Sequence, residues 1–388
     1  MKTHYRYIVI GVGGMGSSAA YWLSRTAGAE VLGLEQFALG HVRGGSQDHS
    51  RIIRRSYHMP EYTALAGHAY EVWADTERES GEKVVFPVGG INFGKPGSSI
   101  DKYIASMAEQ KVPHEVLTPG QVARRWPQFK LSSDMMAAYQ PDGGFVDAAR
   151  ANAAHVRLAK AHGARILENT PVDSIRIRDG RVEVATGAGT FEAERLVITS
   201  GAWTNKVLAG VGLELPLTVT QEQVTYFRPP RLEDFAPERF PIWIAHRPGG
   251  SDFYGFPAYG EPAVKAAEDA GGRVVTVDTR TFDPDPAMEA RLAAFLELHV
   301  PGMLGPIHYS KTCLYTMPPD RNFVIDQLPG NPHVAISIGA GHMFKFASVV
   351  GKILSELAIQ GATQYPIGPF NLNRPAITDP AFPKAFVM

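Results

Sequence analysis

The chain has 388 residues, 44% of them hydrophobic, a formal net charge of -1 and a single cysteine. One cysteine excludes an internal disulfide and a cysteine-based zinc site, and the balanced charge gives no reason to expect nucleic acid. No run reaches the ~18 apolar residues of a membrane span, and the length allows about two to three domains around a large core.

The chain opens with Tyr7-Ile-Val-Ile-Gly-Val-Gly-Gly-Met-Gly-Ser, an apolar strand followed by G-x-G-x-x-G. Lys2 and Arg6 before an apolar run resemble a secretory leader, but glycines break that run and it continues into a β-α-β pattern, so a cytoplasmic chain is expected. Met15, Ala19, Ala20, Trp22 and Leu23 predict an apolar helix, and Val31-Leu-Gly-Leu-Glu35 a second strand ending on an acid. Each part suits a dinucleotide. Gly11 permits the tight turn, Gly13 lets a pyrophosphate approach the backbone, and Gly16 lets helix and strand pack closely. Glu35 accepts hydrogen bonds from a ribose, and the helix N-terminus offers free N–H groups to the phosphates.

A polar, glycine-rich loop, His41 to Arg51, follows, then Ile52-Ile53-Arg54 and a helix with Leu65, Ala69, Val72 and Trp73 on one face. Residues 86–144 mix strands with two short helical patterns. Asp147 predicts an N-cap for a helix ending at Gly163, and Asp179-Gly180 the turn of a hairpin. Leu196-Val-Ile-Thr-Ser-Gly-Ala-Trp203 is an apolar strand running into a glycine turn. A more β-like region contains Val224-Thr-Tyr-Phe, Ile242-Trp-Ile and Phe253-Tyr-Gly-Phe, and ends in a helix near Met288–His299. The chain then returns to its first style, with strand His333 to Ile338, turn Gly339-Ala-Gly-His and an apolar helix from Met343 to about Ile359.

Nucleotide-binding style at the start, middle and end, with sheet-rich stretches between, predicts two interleaved domains with the ligand between them. The expected class is α/β, a Rossmann-like FAD-binding domain interleaved with a sheet-rich α+β substrate domain. The first takes residues 1–85, 145–215 and 316–388, the second 86–144 and 216–315. The glycine motif serves NAD and FAD equally. The Thr199-Ser-Gly201 and Gly339-Ala-Gly-His units favour FAD as further contributions to one large ligand. A helix starting at Met343 would aim its N–H groups at the negative charge of a reduced flavin.

Four segments carry a resemblance over nearly the whole length to the monomeric sarcosine oxidase and N-methyltryptophan oxidase family of flavoprotein amine oxidases. They are the N-terminal glycine motif, Ser50-Arg-Ile-Ile-Arg54 followed by Tyr57, Lys311-Thr-Cys-Leu-Tyr-Thr-Met-Pro-Pro-Asp-Arg-Asn-Phe-Val-Ile-Asp326, and Gly341-His-Met-Phe-Lys-Phe-Ala347. The similarity extends to Phe370-Asn-Leu-Asn-Arg-Pro-Ala. It implies covalent FAD through Cys313, which by its residue type alone would read as a small buried thiol. It implies that Arg54 and Lys345 hold the substrate carboxylate, the first with a planar fork and the second with a point charge.

Arg51 matches an arginine near the flavin, and Lys265 the lysine at which oxygen is reduced, although without the resemblance Lys265 reads as a surface residue. Tyr254 and Tyr315 match aromatic residues of the substrate cavity, with core packing the alternative for both. His342 is a candidate for the cavity or the flavin face. Ser50, Val172, Gly201, Gly341 and Lys345 join Gly11, Gly13, Gly16 and Glu35 as expected cofactor contacts.

Asp269 departs from the family, which has histidine there. The acid either pairs with a cationic amine or leaves the site in a rearranged loop. The implied function is an oxidase of N-methyl amino acids that reduces oxygen to hydrogen peroxide without a metal. The expected partners are a small amino acid and oxygen, with neither nucleic acid nor membrane, and the chain acts as a monomer. Two alternatives stay open. One is an oxidase or dehydrogenase of a cyclic or bulkier amine such as N-methyltryptophan, pipecolate or a glycated amino acid. The other is an inactive flavin-binding module.

Overall fold

The computed structural model of the protein describes residues 2–178 and 180–386. The first strand, His4–Ile10, lies between Val31–Leu34 and Gly189–Ile198, parallel to both. Parallel strands need cover on both faces. Here Tyr7 and Val9 enter one apolar core with the helices Gly14–Ala27, Pro60–Ser80 and Ala347–Gln360, while Ile8 and Ile10 enter a second core on the opposite face. Asn331–Ile338, 130 or more residues downstream, adds in parallel to Gly189–Ile198, so the chain does return to its first sheet. Among the described residues the sheet has eight strands.

A nine-stranded sheet collects the strands between residues 90 and 140 and between 218 and 317. Its longest pair is antiparallel, Thr218–Phe227 against Ile307–Met317, placing Thr220 opposite Tyr315, Glu222 opposite Cys313 and Tyr226 opposite Tyr309. Alternate residues share a face, so these six stand on one side of the ribbon. A small sheet of Arg51–Ile53, Gly144–Val146 and Val85–Pro87 carries Arg51 and the start of the Arg54 segment.

Asp147 caps the helix Ala148–Ala161 as expected, accepting from the Arg150 N–H at 2.9 Å. Asp179 of the expected hairpin turn lies outside the described residues, and the flanking strands Val172–Arg178 and Arg181–Thr186 pair antiparallel. The helix expected from Met343 begins later than that residue. Phe344–Phe346 forms a 3-10 turn, and the α-helix starts at Ala347. The Phe346 N–H bonds to the Met343 carbonyl at 2.7 Å, tightening this turn, and the Trp73 indole donates to the Lys345 carbonyl at 2.8 Å. Among the described residues no helix is long and apolar enough to cross a membrane.

Candidate active site

Both sheets face a cavity of about 940 Å³. One end is built by the glycine motif. A Cβ on Gly16 would lie 1.8 Å from the Gly11 carbonyl oxygen, so helix and turn approach only because that position has no side chain. Gly16 therefore acts behind the cavity wall, whereas Gly11, Gly13, Glu35, Val172 and Gly201 line it. Glu35 is nearly buried, accepting from the Val12 N–H at 2.9 Å and the Phe37 N–H at 3.1 Å. Each carboxylate oxygen keeps further acceptor capacity for a ribose.

The other end gathers Arg51, Arg54, Tyr254, Asp269, Cys313, Tyr315, Gly341, His342 and Lys345 into the same wall. Gly341 has φ +83°, and a Cβ there would stand 2.3 Å from the Tyr315 ring, so the Gly339–His342 turn and Tyr315 can close on one another only with glycine between them. Arg54 is 4% exposed and Lys345 7%. Arg54 donates to the Ser56 carbonyl at 2.5 Å and lies over the rings of Tyr57 and Tyr103. Lys345 donates to the His342 carbonyl at 2.9 Å. Among the described residues neither cation has a carboxylate partner. The Arg54 Nε, Tyr57 hydroxyl and His342 Nδ1 are buried without a hydrogen-bond partner. Burial, with Arg54 nearby, pushes the Lys345 pKa well below its ordinary value. Burial also holds His342 neutral, well below the usual imidazole range. Two buried cations beside orphaned polar atoms are costly unless an anion arrives.

Cys313 faces the cavity, and burial pushes its thiol up to about 11 even though the Arg51 cation opposes this. Arg51 is fixed by the Gly45 and Gln47 carbonyls and stands 3.4 Å from Asp48.

Two further expected site residues, besides Gly16, lie behind the wall. Ser50 is buried and contributes its carbonyl, which accepts from Lys265 at 2.5 Å. Lys265, expected on sequence alone to be a surface lysine, is 2% exposed on the strand Val264–Glu268 and forms a 2.9 Å ion pair with Asp48. Burial pulls its pKa down to about 8, with Asp48 opposing. For Asp48 burial acts upward, but Lys265 and Arg51 outweigh it and hold the carboxyl well below the usual range.

Asp269 remains in the site, and its place is set within the protein. Both its oxygens accept from Arg321 at 2.8 Å, and the Tyr315 hydroxyl stands 3.4 Å away. Asp48, Tyr226 and Arg321 were not singled out from the sequence. An acid in the glycine-rich loop and an arginine inside the Lys311–Asp326 signature were the only signals, and their partners are more than 50 residues away.

The cavity fits an extended dinucleotide, with glycines and an acid at one end and buried cations at the other. Such an arrangement on the parallel strands of a mixed sheet is that of a dinucleotide-dependent enzyme. The profile of the family described as "FAD dependent oxidoreductase" matches residues 6–357, and the chain belongs to that family, with FAD as its cofactor. Monomeric sarcosine oxidase of Streptomyces avermitilis is 38% identical, over 96% of this chain and 98% of the relative. N-methyl-L-tryptophan oxidase of Escherichia coli K12 is 31% identical, over 95% and 99%. Among solved structures, NikD, an unusual amino acid oxidase essential for nikkomycin biosynthesis, superimposes with a TM-score of 0.84 at 26% identity, over 95% of this chain and 98% of NikD.

Proposed function

We propose that the protein is an FAD-dependent oxidase of N-methyl amino acids, opening the C–N bond by way of an imine. Bound FAD supplies the redox chemistry, taking a hydride equivalent from the substrate carbon and passing two electrons to oxygen, which leaves as hydrogen peroxide. The observation that carries the reading is the pair of buried cations, Arg54 and Lys345, with no acidic partner among the described residues, beside a cavity of dinucleotide size. Arg54 grips the substrate carboxylate and Lys345 adds a point charge, which fixes the amine-bearing carbon towards the cofactor. Tyr254, Tyr315 and His342 shape the wall around that carbon, and Glu35 with the glycine turns, Val172 and Gly201 holds the cofactor. The discontinuous division into cofactor and substrate domains, a cytoplasmic location and a monomeric state belong to the same proposal.

The test is anaerobic flavin bleaching. N-methyl amino acids should bleach the enzyme, and the corresponding carboxyl-free amines should be far poorer. Arg54→Ala and Lys345→Met should each weaken the acids by roughly 1.5–3 kcal/mol, about ten- to a hundred-fold, as expected for a hydrogen bond to a charged group. Equal oxidation of the carboxyl-free amines would overturn the assignment.

The proposal includes covalent attachment of the flavin through Cys313. Acid precipitation should leave the yellow colour in the pellet, and Cys313→Ala should release it to the supernatant. Free FAD from the wild-type protein would remove attachment from the proposal.

A further inference from the structure

Arg54 is held from behind by a chain of buried polar groups. Its Nη1 donates to the Ser56 carbonyl at 2.5 Å and stands 3.4 Å from the Ser56 hydroxyl. That hydroxyl accepts from the Asn92 side-chain amide at 3.0 Å. Asn92 Oδ1 meets His246 Nε2 at 3.1 Å. His246 Nδ1 meets Asp252 Oδ2 at 2.8 Å and the Ser99 hydroxyl at 3.0 Å. Asp252 Oδ1 accepts from the Arg247 N–H at 3.1 Å. Each link lies within ordinary hydrogen-bond distance except the 3.4 Å one, and there the Ser56 carbonyl carries the connection. Asn92 and His246 stand on the strands Gly90–Gly94 and Ile242–His246, which pair in parallel and are buried throughout. Tyr103 packs against both ends of the chain, its ring centroid 4.4 Å from that of His246 and 5.0 Å from the Arg54 guanidinium.

We propose that Asn92 and His246 are positioning residues that hold Arg54 in the orientation that receives the substrate carboxylate. The inference rests on the reading above, in which Arg54 binds that carboxylate. A guanidinium carries its N–H donors in one rigid plane, so fixing one nitrogen fixes the direction of the others. Ser56 takes Nη1, while Nε is buried with no protein partner. Ser56 itself belongs to no strand or helix. The Asn92 amide ties it to the nine-stranded sheet, and His246, anchored on Asp252, sets the place of the Asn92 side chain. Asp252 lines the cavity as Arg54 does, so the chain runs behind the wall from one charged wall residue to another. The ordinary alternative is a polar cluster that merely joins two strands. Those strands already pair through their backbones, and apolar side chains of similar shape would fill the space without burying polar groups.

The experiment titrates the FAD-loaded enzyme with acetate, the simplest carboxylate, by calorimetry and without turnover. The proteins are wild type, Arg54→Ala, Asn92→Leu, His246→Phe, Ser56→Ala and the double variants of each of the last three with Arg54→Ala. Asn92→Leu and His246→Phe should each weaken acetate about tenfold, the lower end of what a hydrogen bond to a charged group is worth. In the double variants acetate should bind as it does to Arg54→Ala alone, because the chain acts only through Arg54, and Lys345 keeps that binding measurable. A merely structural role would add its own loss to that of Arg54→Ala. Ser56→Ala removes the Asn92 contact and keeps the carbonyl, and it carries the test with the same expected non-additivity if the other variants fold poorly. Unchanged acetate binding in the chain variants, or additive losses, with weak binding in Arg54→Ala, would overturn the positioning role alone. Failure of acetate to bind the wild type, or equal binding by Arg54→Ala, would overturn the carboxylate reading of Arg54 and the inference with it.

Discussion

Lys265→Met is expected to slow reoxidation of the reduced flavin by about 2.7–4 kcal/mol of barrier, a hundred- to a thousand-fold, by analogy with removal of one oxyanion donor. The reason is electrostatic. Oxygen is neutral until it takes an electron, so a fixed cation acts on charge that appears only in the transition state. Lys265 is held in one place, between Asp48 at 2.9 Å and the Ser50 carbonyl at 2.5 Å. The amine substrate gains nothing comparable, and anaerobic reduction should change far less. The wild-type oxygen rate should also fall as pH rises. The Lys265 pKa is pulled down to about 8, so the ammonium is present below that value and lost above it. Separate stopped-flow measurement of the two half-reactions is the check. An oxygen rate that is unchanged in Lys265→Met, or flat between pH 7 and 10, would remove Lys265 from oxygen chemistry.

The residues that were legible in the sequence are those whose function is local. Strand, glycines, helix and Glu35 lie within the first 35 positions, and steric and hydrogen-bonding rules fix them without tertiary information. The helix cap at Asp147 is local in the same way. Lys265 was not legible as a buried cation, because Asp48 is 217 residues away and no pattern in Val264–Glu268 marks its inner face. Its strand is buried throughout, so it lacks the alternation that separates core from surface. Cys313 carries no sign of its place in the cavity wall beyond the segment around it. Its strand, Ile307–Met317, is recognised only when Thr218–Phe227 pairs with it.

The Asp269–Arg321 pair should be the most sensitive stability element in the site. Arg321 is 2% exposed and the Asp269 side chain 16%. Arg321→Met leaves a carboxylate among Tyr315 and the cavity wall without its two 2.8 Å bonds. Removing one partner of a buried ion pair costs about 3–5 kcal/mol, because the other charge stays desolvated. Asp269→Ala strands the arginine with a similar penalty. The double variant Asp269→Ala with Arg321→Met should recover most of that loss, since the pair in place roughly offsets its own desolvation. Urea unfolding of the four proteins, with FAD held constant, reads the coupling directly. Additive losses would mean that the pair is screened by water and that Asp269 is free to meet a cationic amine. Strong coupling would mean that Arg321 has neutralised the acid, which leaves Arg54 and Lys345 as the uncompensated charges of the site and an anionic group as what the cavity selects.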